Sequence, residues 1–185
     1  EINQALESSG QKFDWIGFDA CLMATYETAQ LCSNYADYLI ASEETEPGIG
    51  WDHTKWVNAI GENTSIPTLE LGQAIVDGFV DECNRKCGGQ KTTLSVIDLS
   101  EFSETVPSKL KAFSTSTTNL IKSDSFNTVS DARAGTREFA TSSNEANNSH
   151  ISMPRHWAAF ASVSRLLDLP FTRAETDTSE MPIFS

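Results

Sequence analysis

Cys21 is the residue of this chain best placed to do chemistry. It stands in FDWIGFDACLMATYETAQ, Phe13 to Gln30, just after a short apolar run and two residues after Asp19. Trp15, Ile16 and Phe18 make a run of strand length, and Gly17 within it tolerates a close neighbour. From Leu22 the apolar spacing turns helical, through Leu22, Met23, Tyr26 and Ala29. The stretch therefore reads as a buried strand, an acidic turn bearing a thiol, and a helix from Cys21 to about Ala36. In an open α/β sheet the carboxyl end of a strand is where ligands bind and chemistry is done. A cysteine at that edge, facing a helix N-terminus, has the location and electrostatics of a reactive thiol. Taken alone, such a cysteine is most often a small buried hydrophobe, and an acid like Asp19 a helix cap.

The second stretch able to do chemistry is EETEPGIGWDHTKW, Glu43 to Trp56. Pro47, Gly48 and Gly50 make it a loop, while Glu43, Glu44, Glu46 and Asp52 make it acidic. Trp51 and Trp56 add flat apolar surface. The loop leaves a strand reading Tyr38 to Ser42. Two strands joined by one helix form a βαβ unit, with parallel pairing and a right-handed crossover. That places the loop at the same sheet edge as Cys21; a plain solvated acidic loop would have the same composition. His53 lies in this loop, and His150 and His156 lie near the end of the chain. An ordinary surface or structural role is the simpler reading for all three.

Four cysteines, Cys21, Cys32, Cys83 and Cys87, show neither zinc-ligand spacing nor a disulfide framework. Cys83 and Cys87, four apart, read as two thiols on a helix surface. The remaining elements follow from periodicity and breakers. Glu1 to Gly10 reads as a helix end, Thr54 to Glu62 as a short helix, and Leu69 to Cys87 as a longer amphipathic one. Thr92 to Leu99 is a third strand with a carboxyl-end acid, Asp98. Ser100 is expected to cap a helix carrying Phe102, Val106, Leu110 and Phe113, and Val129 to Phe139 forms a last helix. From Thr141 a polar linker leads to an amphipathic segment, Met153 to Leu169, and the ending TRAETDTSEMPIFS reads as disordered.

At 185 residues the chain holds one sizeable domain, or one domain with an appendage. A net charge of −13 argues against nucleic acid and anionic membrane surfaces as partners. It suits cationic partners, basic peptides among them, or it simply keeps the protein soluble. No apolar run has the length of a membrane span, and no signal peptide is evident. The chain starts at Glu1 without an initiator Met, so it is expected to be a fragment or a processed piece.

The block FDACLMATYETA, followed by ADYLIASEETEPGIGW and LSVIDL, resembles the clostripain family of cysteine peptidases, of the clan of caspases, gingipains and legumains. The likeness runs from about Phe13 to about Phe139. It implies an α/β fold, a caspase-like three-layer α/β/α sandwich with a mostly parallel sheet, of which this chain is the C-terminal portion. Residues 1–140 would be that portion, and residues 141–185 an atypical polar linker with an amphipathic helix, partly disordered. By the resemblance Cys21 is the nucleophile, and its own backbone N–H helps bind the oxyanion. Asp19 matches the acid that selects a basic P1 residue; a buried carboxylate there pairs with Lys, or bidentately with Arg. Where some members carry a second acid this chain has Ile49, and Glu46 and Asp52, with Trp51 beside them, are the nearest substitutes for substrate binding. The base of the Cys–His dyad is a His followed by Gly on a strand that would lie upstream of Glu1. The implied activity is cleavage after Arg or Lys in peptide or protein substrates, with this chain inactive alone. A non-catalytic module that binds basic peptides is the alternative. The resemblance leaves calcium open as a cofactor, although no EF-hand or other contiguous oxygen-ligand pattern is present. It also implies a bacterial protein, secreted or on the cell surface.

Overall fold

Six helices and four strands make up the residues described by this computed structural model, which are 1–88, 90, 92–134 and 172–175. In chain order they are α1 (Ile2–Ser9), β1 (Phe13–Gly17), α2 (Tyr26–Cys32), β2 (Ala36–Ala41), α3 (His53–Glu62), α4 (Thr68–Lys86), β3 (Thr93–Asp98), α5 (Leu99–Lys122), α6 (Phe126–Ala134) and β4 (Thr172–Glu175). They fall into two units, Glu1–Ser100 with Phe171–Ser185, and Glu101–Pro170. The first holds the sheet and every residue discussed below as a site. The expected linker at 141–150 and amphipathic segment at 153–169 lie outside the described residues.

The sheet has the order β1-β2-β3-β4. β1 and β2 pair in parallel, from Phe13 opposite Ala36 to Gly17 opposite Ile40, as a βαβ unit requires. The other two pairings are antiparallel: Tyr38 stands opposite Asp98 and Ala41 opposite Ser95, and Thr93 stands opposite Glu175. The sheet is therefore mixed, which corrects the expectation of a mostly parallel one. Two helices rather than one separate β2 from β3, and the chain re-enters the sheet at the end where β2 finished, so β3 runs back down.

That reversal carries Asp98 to the edge opposite the carboxyl end of β2. There its carboxylate accepts the backbone N–H of Ser100 at 2.9 Å, so Asp98, not Ser100, supplies the cap at the start of α5. A second correction concerns the ending, where Thr172–Glu175 is a strand on β3 rather than disordered.

The core of the first unit is one face of α4 laid on one face of the sheet. Leu71, Ile75, Val76, Phe79 and Cys83 bury against Ile40, Leu94 and Val96, joined by Trp51. Each large apolar side chain so buried contributes about 1.5–3 kcal/mol. Strand alternation puts the register partners Leu39 and Ile97 on the other face, and these are buried too. The ends of α4 suit its dipole, with Glu70 in the first turn and Arg85 and Lys86 in the last, both paired with Glu82. Cys83 is thus a core residue, not the surface thiol its spacing suggested.

Candidate active site

The position of Cys21 follows from how β1 ends. Phe18 N–H donates to Ile40 O at 3.0 Å, prolonging the strand by one residue. The chain then turns over and runs back along the segment after β2: Leu22 N–H donates to Glu44 O at 3.1 Å, and Ala24 N–H to Ser42 O at 2.9 Å. Leu22 sits at φ 61°, a left-handed backbone that costs a branched residue about 1–3 kcal/mol and recurs at functional turns. Cys21 stands exposed at the tip of this turn. The helix begins five residues later, at Tyr26, where the Thr25 hydroxyl accepts Thr28 N–H at 3.1 Å. The expected helix N-terminus at Cys21 is therefore absent; a backbone donor from the facing loop is there instead.

That donor belongs to Glu46. Its N–H points at Cys21 Sγ at 3.2 Å, and its carbonyl oxygen lies 3.9 Å from the same sulfur. The loop is held in place by a buried polar lock at the end of β2. Ser42 Oγ and Thr93 Oγ1 are hydrogen-bonded at 2.8 Å, and each accepts Glu44 N–H at 3.1 Å. One residue earlier, Ser95 Oγ donates to Glu43 Oε1 at 2.6 Å. The lock was not visible in the sequence, because it joins Ser42 to a strand whose direction the sequence did not reveal.

Beside the thiol lie two acids. Asp19 is exposed and accepts Trp51 N–H at 3.1 Å. Gly50, at φ +67°, passes so close that a Cβ there would lie 2.8 Å from Asp19 Oδ2. Both carboxyl oxygens of Glu46 are shut off from solvent, and neither meets a donor in hydrogen-bond geometry. The buried acid of the site is thus Glu46, whereas the resemblance had implied Asp19. Burial first, and the neighbouring Asp19 second, push the Glu46 carboxyl up to about 8. The Trp51 indole opposes that shift, and its Nε1 reaches no hydrogen-bond geometry of its own.

Trp51 is 6% exposed, so it is a wall of the site rather than the loop surface expected of it. It packs where a Cβ on Gly17 would lie 2.9 Å from its ring. Cys83 lies behind Glu46 and is pushed up to about 12 by burial, by Cys87 and by Glu46. Burial likewise pushes Cys32 up to about 11, so the buried thiols are inert and Cys21 alone of the four is exposed.

Of the residues singled out from the sequence, Cys21, Asp19, Glu46 and Trp51 come together. Asp52 is occupied otherwise, its Oδ1 accepting Thr54 N–H at 3.1 Å as the cap of α3. His53 Nδ1 lies 2.8 Å from Trp51 O, and its ring is 5.5 Å from that of Trp56, an ordinary structural role. His150 and His156 are outside the described residues. Among the described residues no group of three or more His, Cys, Asp or Glu could hold a metal ion. Two carboxylates at one place do not fit calcium, which takes about six to eight oxygen ligands. No described helix is long and apolar enough to cross a membrane.

The clostripain family model matches residues 1–164, reaching past Phe139, where the recognisable blocks end. No curated protein matches the chain. Among solved structures, a secreted C11 cysteine protease from Bacteroides thetaiotaomicron in complex with an irreversible peptide inhibitor is 30% identical, with a TM-score of 0.46, over 56% of this chain and 31% of that one. A clostripain from the same organism, in complex with a peptide inhibitor, is 25% identical with a TM-score of 0.43, over 56% of this chain and 43% of that one. A Bacteroides fragilis cysteine protease is 22% identical with a TM-score of 0.45, over 56% and 44%. The chain spans less than half the length of each of these. With the family model covering it from residue 1 to residue 164, and a single exposed cysteine at the strand edge, the chain belongs to the clostripain family of cysteine peptidases.

Proposed function

We propose that this chain is the nucleophile-bearing portion of a cysteine endopeptidase that cleaves after Arg or Lys. The observation that carries the reading is the pairing of an exposed thiol with two carboxylates that no described cation neutralises, all held by one turn and one loop. Cys21 Sγ, with Glu46 N–H as the donor at the sulfur, attacks the scissile carbonyl carbon. The C–N bond then breaks, and the amine leaves with a proton from a histidine that lies upstream of Glu1 in the same protein. Water hydrolyses the thioester on Cys21 and regenerates the thiol. Asp19, the exposed acid, receives the guanidinium or ammonium of P1, Glu46 supports it from its shielded place beside Asp19, Trp51 forms the apolar wall along the stem, and Asp52 contributes by capping α3.

In this reading residues 1–140 complete a three-layer, caspase-like α/β/α domain with the upstream part, residues 141–185 form an appendage, and the protein is bacterial and secreted or displayed at the cell surface. The 185-residue chain by itself is inactive, because nucleophile and base act as a unit. The test uses the full-length protein and an irreversible peptide inhibitor with Lys at P1. Intact mass and peptide mapping should place one adduct on Cys21, and an inhibitor with Ala at P1 should react far more slowly. Equal labelling by both would remove the basic specificity, and no adduct on Cys21 would remove the nucleophile. Binding of basic peptides that survives thiol alkylation, with no cleavage beforehand, would favour a non-catalytic module.

A further inference from the structure

The contacts that tie Cys21 to the facing loop converge on Glu44. On one side, Leu22 N–H, in the peptide just after the thiol, donates to Glu44 O at 3.1 Å. On the other, Glu46 N–H, two residues beyond Glu44, points at Cys21 Sγ at 3.2 Å. Leu22 carries a left-handed backbone at φ 61°, and such a conformation persists only where its surroundings over-determine it. Whatever grips Glu44 therefore grips the thiol.

That grip ends on β3. Ser42 O–H donates to Glu44 O at 2.9 Å, which commits its single proton. The proton in the 2.8 Å contact between Ser42 Oγ and Thr93 Oγ1 therefore comes from Thr93. Both hydroxyls accept Glu44 N–H at 3.1 Å, so the Glu44 backbone is held at its N–H and at its carbonyl. Ser42 is fully buried and Thr93 is 4% exposed, surroundings in which such bonds are strong. The far end of the loop has a separate anchor, Trp51 N–H on Asp19 Oδ2 at 3.1 Å.

We propose that Thr93 is a positioning residue for the nucleophile. Through Ser42 and the Glu44 backbone, its hydroxyl holds the Cys21 turn and the Glu46 N–H in the geometry of attack. The inference rests on the reading of Cys21 as the nucleophile. Because the pocket end of the loop is anchored at Asp19, loosening the lock slows attack and leaves capture of P1 almost unchanged.

The test uses the full-length protein and the irreversible peptide inhibitor with Lys at P1, following inactivation against inhibitor concentration. Thr93→Val keeps the branched shape and removes the hydroxyl. It should lower the maximal inactivation rate about tenfold and move the half-saturating concentration less than about twofold. Labelling should still reach one adduct per chain, which counts intact sites and separates slow attack from unfolding. Thr93→Ser restores the hydroxyl and should return the rate to within about twofold of the parent. An unchanged maximal rate in Thr93→Val, a shift in half-saturation alone, or an equal loss in Thr93→Ser overturns the inference and leaves the nucleophile in place. Absence of an adduct on Cys21 in the parent overturns the nucleophile itself. If Thr93→Val does not fold, hydrogen exchange of the unaltered protein decides. The Leu22 amide should exchange at least about a hundredfold more slowly than an unstructured one, and free exchange there overturns the inference.

Discussion

In the proposed reading, two residues separate the chemistry of this site into attack and selection. Cys21 is exposed with a backbone N–H at its sulfur, and the other thiols of the chain are wholly or partly buried. Replacing it by Ala in the full-length protein should lower kcat/KM at least about a thousandfold, since no other described thiol can reach a substrate. Residual turnover above a few per cent, measured on a Lys-P1 peptide, would remove Cys21 from the role. The same proposal gives Asp19 a part in selection only. Its carboxylate accepts Trp51 N–H at 3.1 Å and stands in front of the shielded Glu46. Asp19→Asn keeps the shape and removes the charge, so kcat/KM for Arg and Lys at P1 should fall about 10–100-fold against a neutral P1, about 1.4–2.8 kcal/mol of discrimination. Loss of activity on all substrates alike would make Asp19 a residue of the catalytic turn instead of its selector.

The elements divide into those a sequence can reveal and those it cannot. β1 and β2 were legible because strand-length apolar runs flank one short helix, and that spacing allows little but parallel pairing. The direction of β3 was not, because its six residues read alike whether the strand runs up or down, and the answer lies in the two helices before it. The same gap hid the Ser42–Thr93 lock and misplaced Asp98, while the tight turn at Leu22 was masked by helical spacing that begins before the helix does. Glu46 was visible only as one acid among several in a loop, since shielding of a carboxylate is a property of packing. Gly50 and Gly48 of that loop provide a matched test. A Cβ on Gly50 meets Asp19 at 2.8 Å on a left-handed backbone, whereas a Cβ on Gly48 meets nothing within 4 Å. Gly50→Ala should therefore cost about 1–3 kcal/mol in urea unfolding and erode basic-P1 preference, with Gly48→Ala within about 0.5 kcal/mol of the parent. Equal effects would mean that the loop's path does not depend on the approach to Asp19.

At the scale of the molecule, a net charge of −13 and one strongly shifted acid both bear on how stability depends on pH. Glu46 titrates near 4.5 in the unfolded chain and at about 8 in the fold. The folded state therefore binds its proton more tightly, and that advantage is fully present below pH 4.5 and is lost as pH rises towards 8. Allowing for the solvent that reaches a half-buried group, the loss amounts to roughly 1–3 kcal/mol. General repulsion among surface carboxylates also disfavours the compact state, but between exposed charges it fades beyond about 8–10 Å at physiological salt. Raising the ionic strength should therefore relieve the surface contribution and leave that of the shielded Glu46 carboxyl nearly untouched. Between pH 5.5 and 8.5, in salt, the full-length protein should lose stability with rising pH, and Glu46→Gln should flatten the slope and be the more stable variant at the alkaline end. Parallel pH profiles for the two proteins would show that Glu46 is open to water in solution and ionises as an ordinary surface acid.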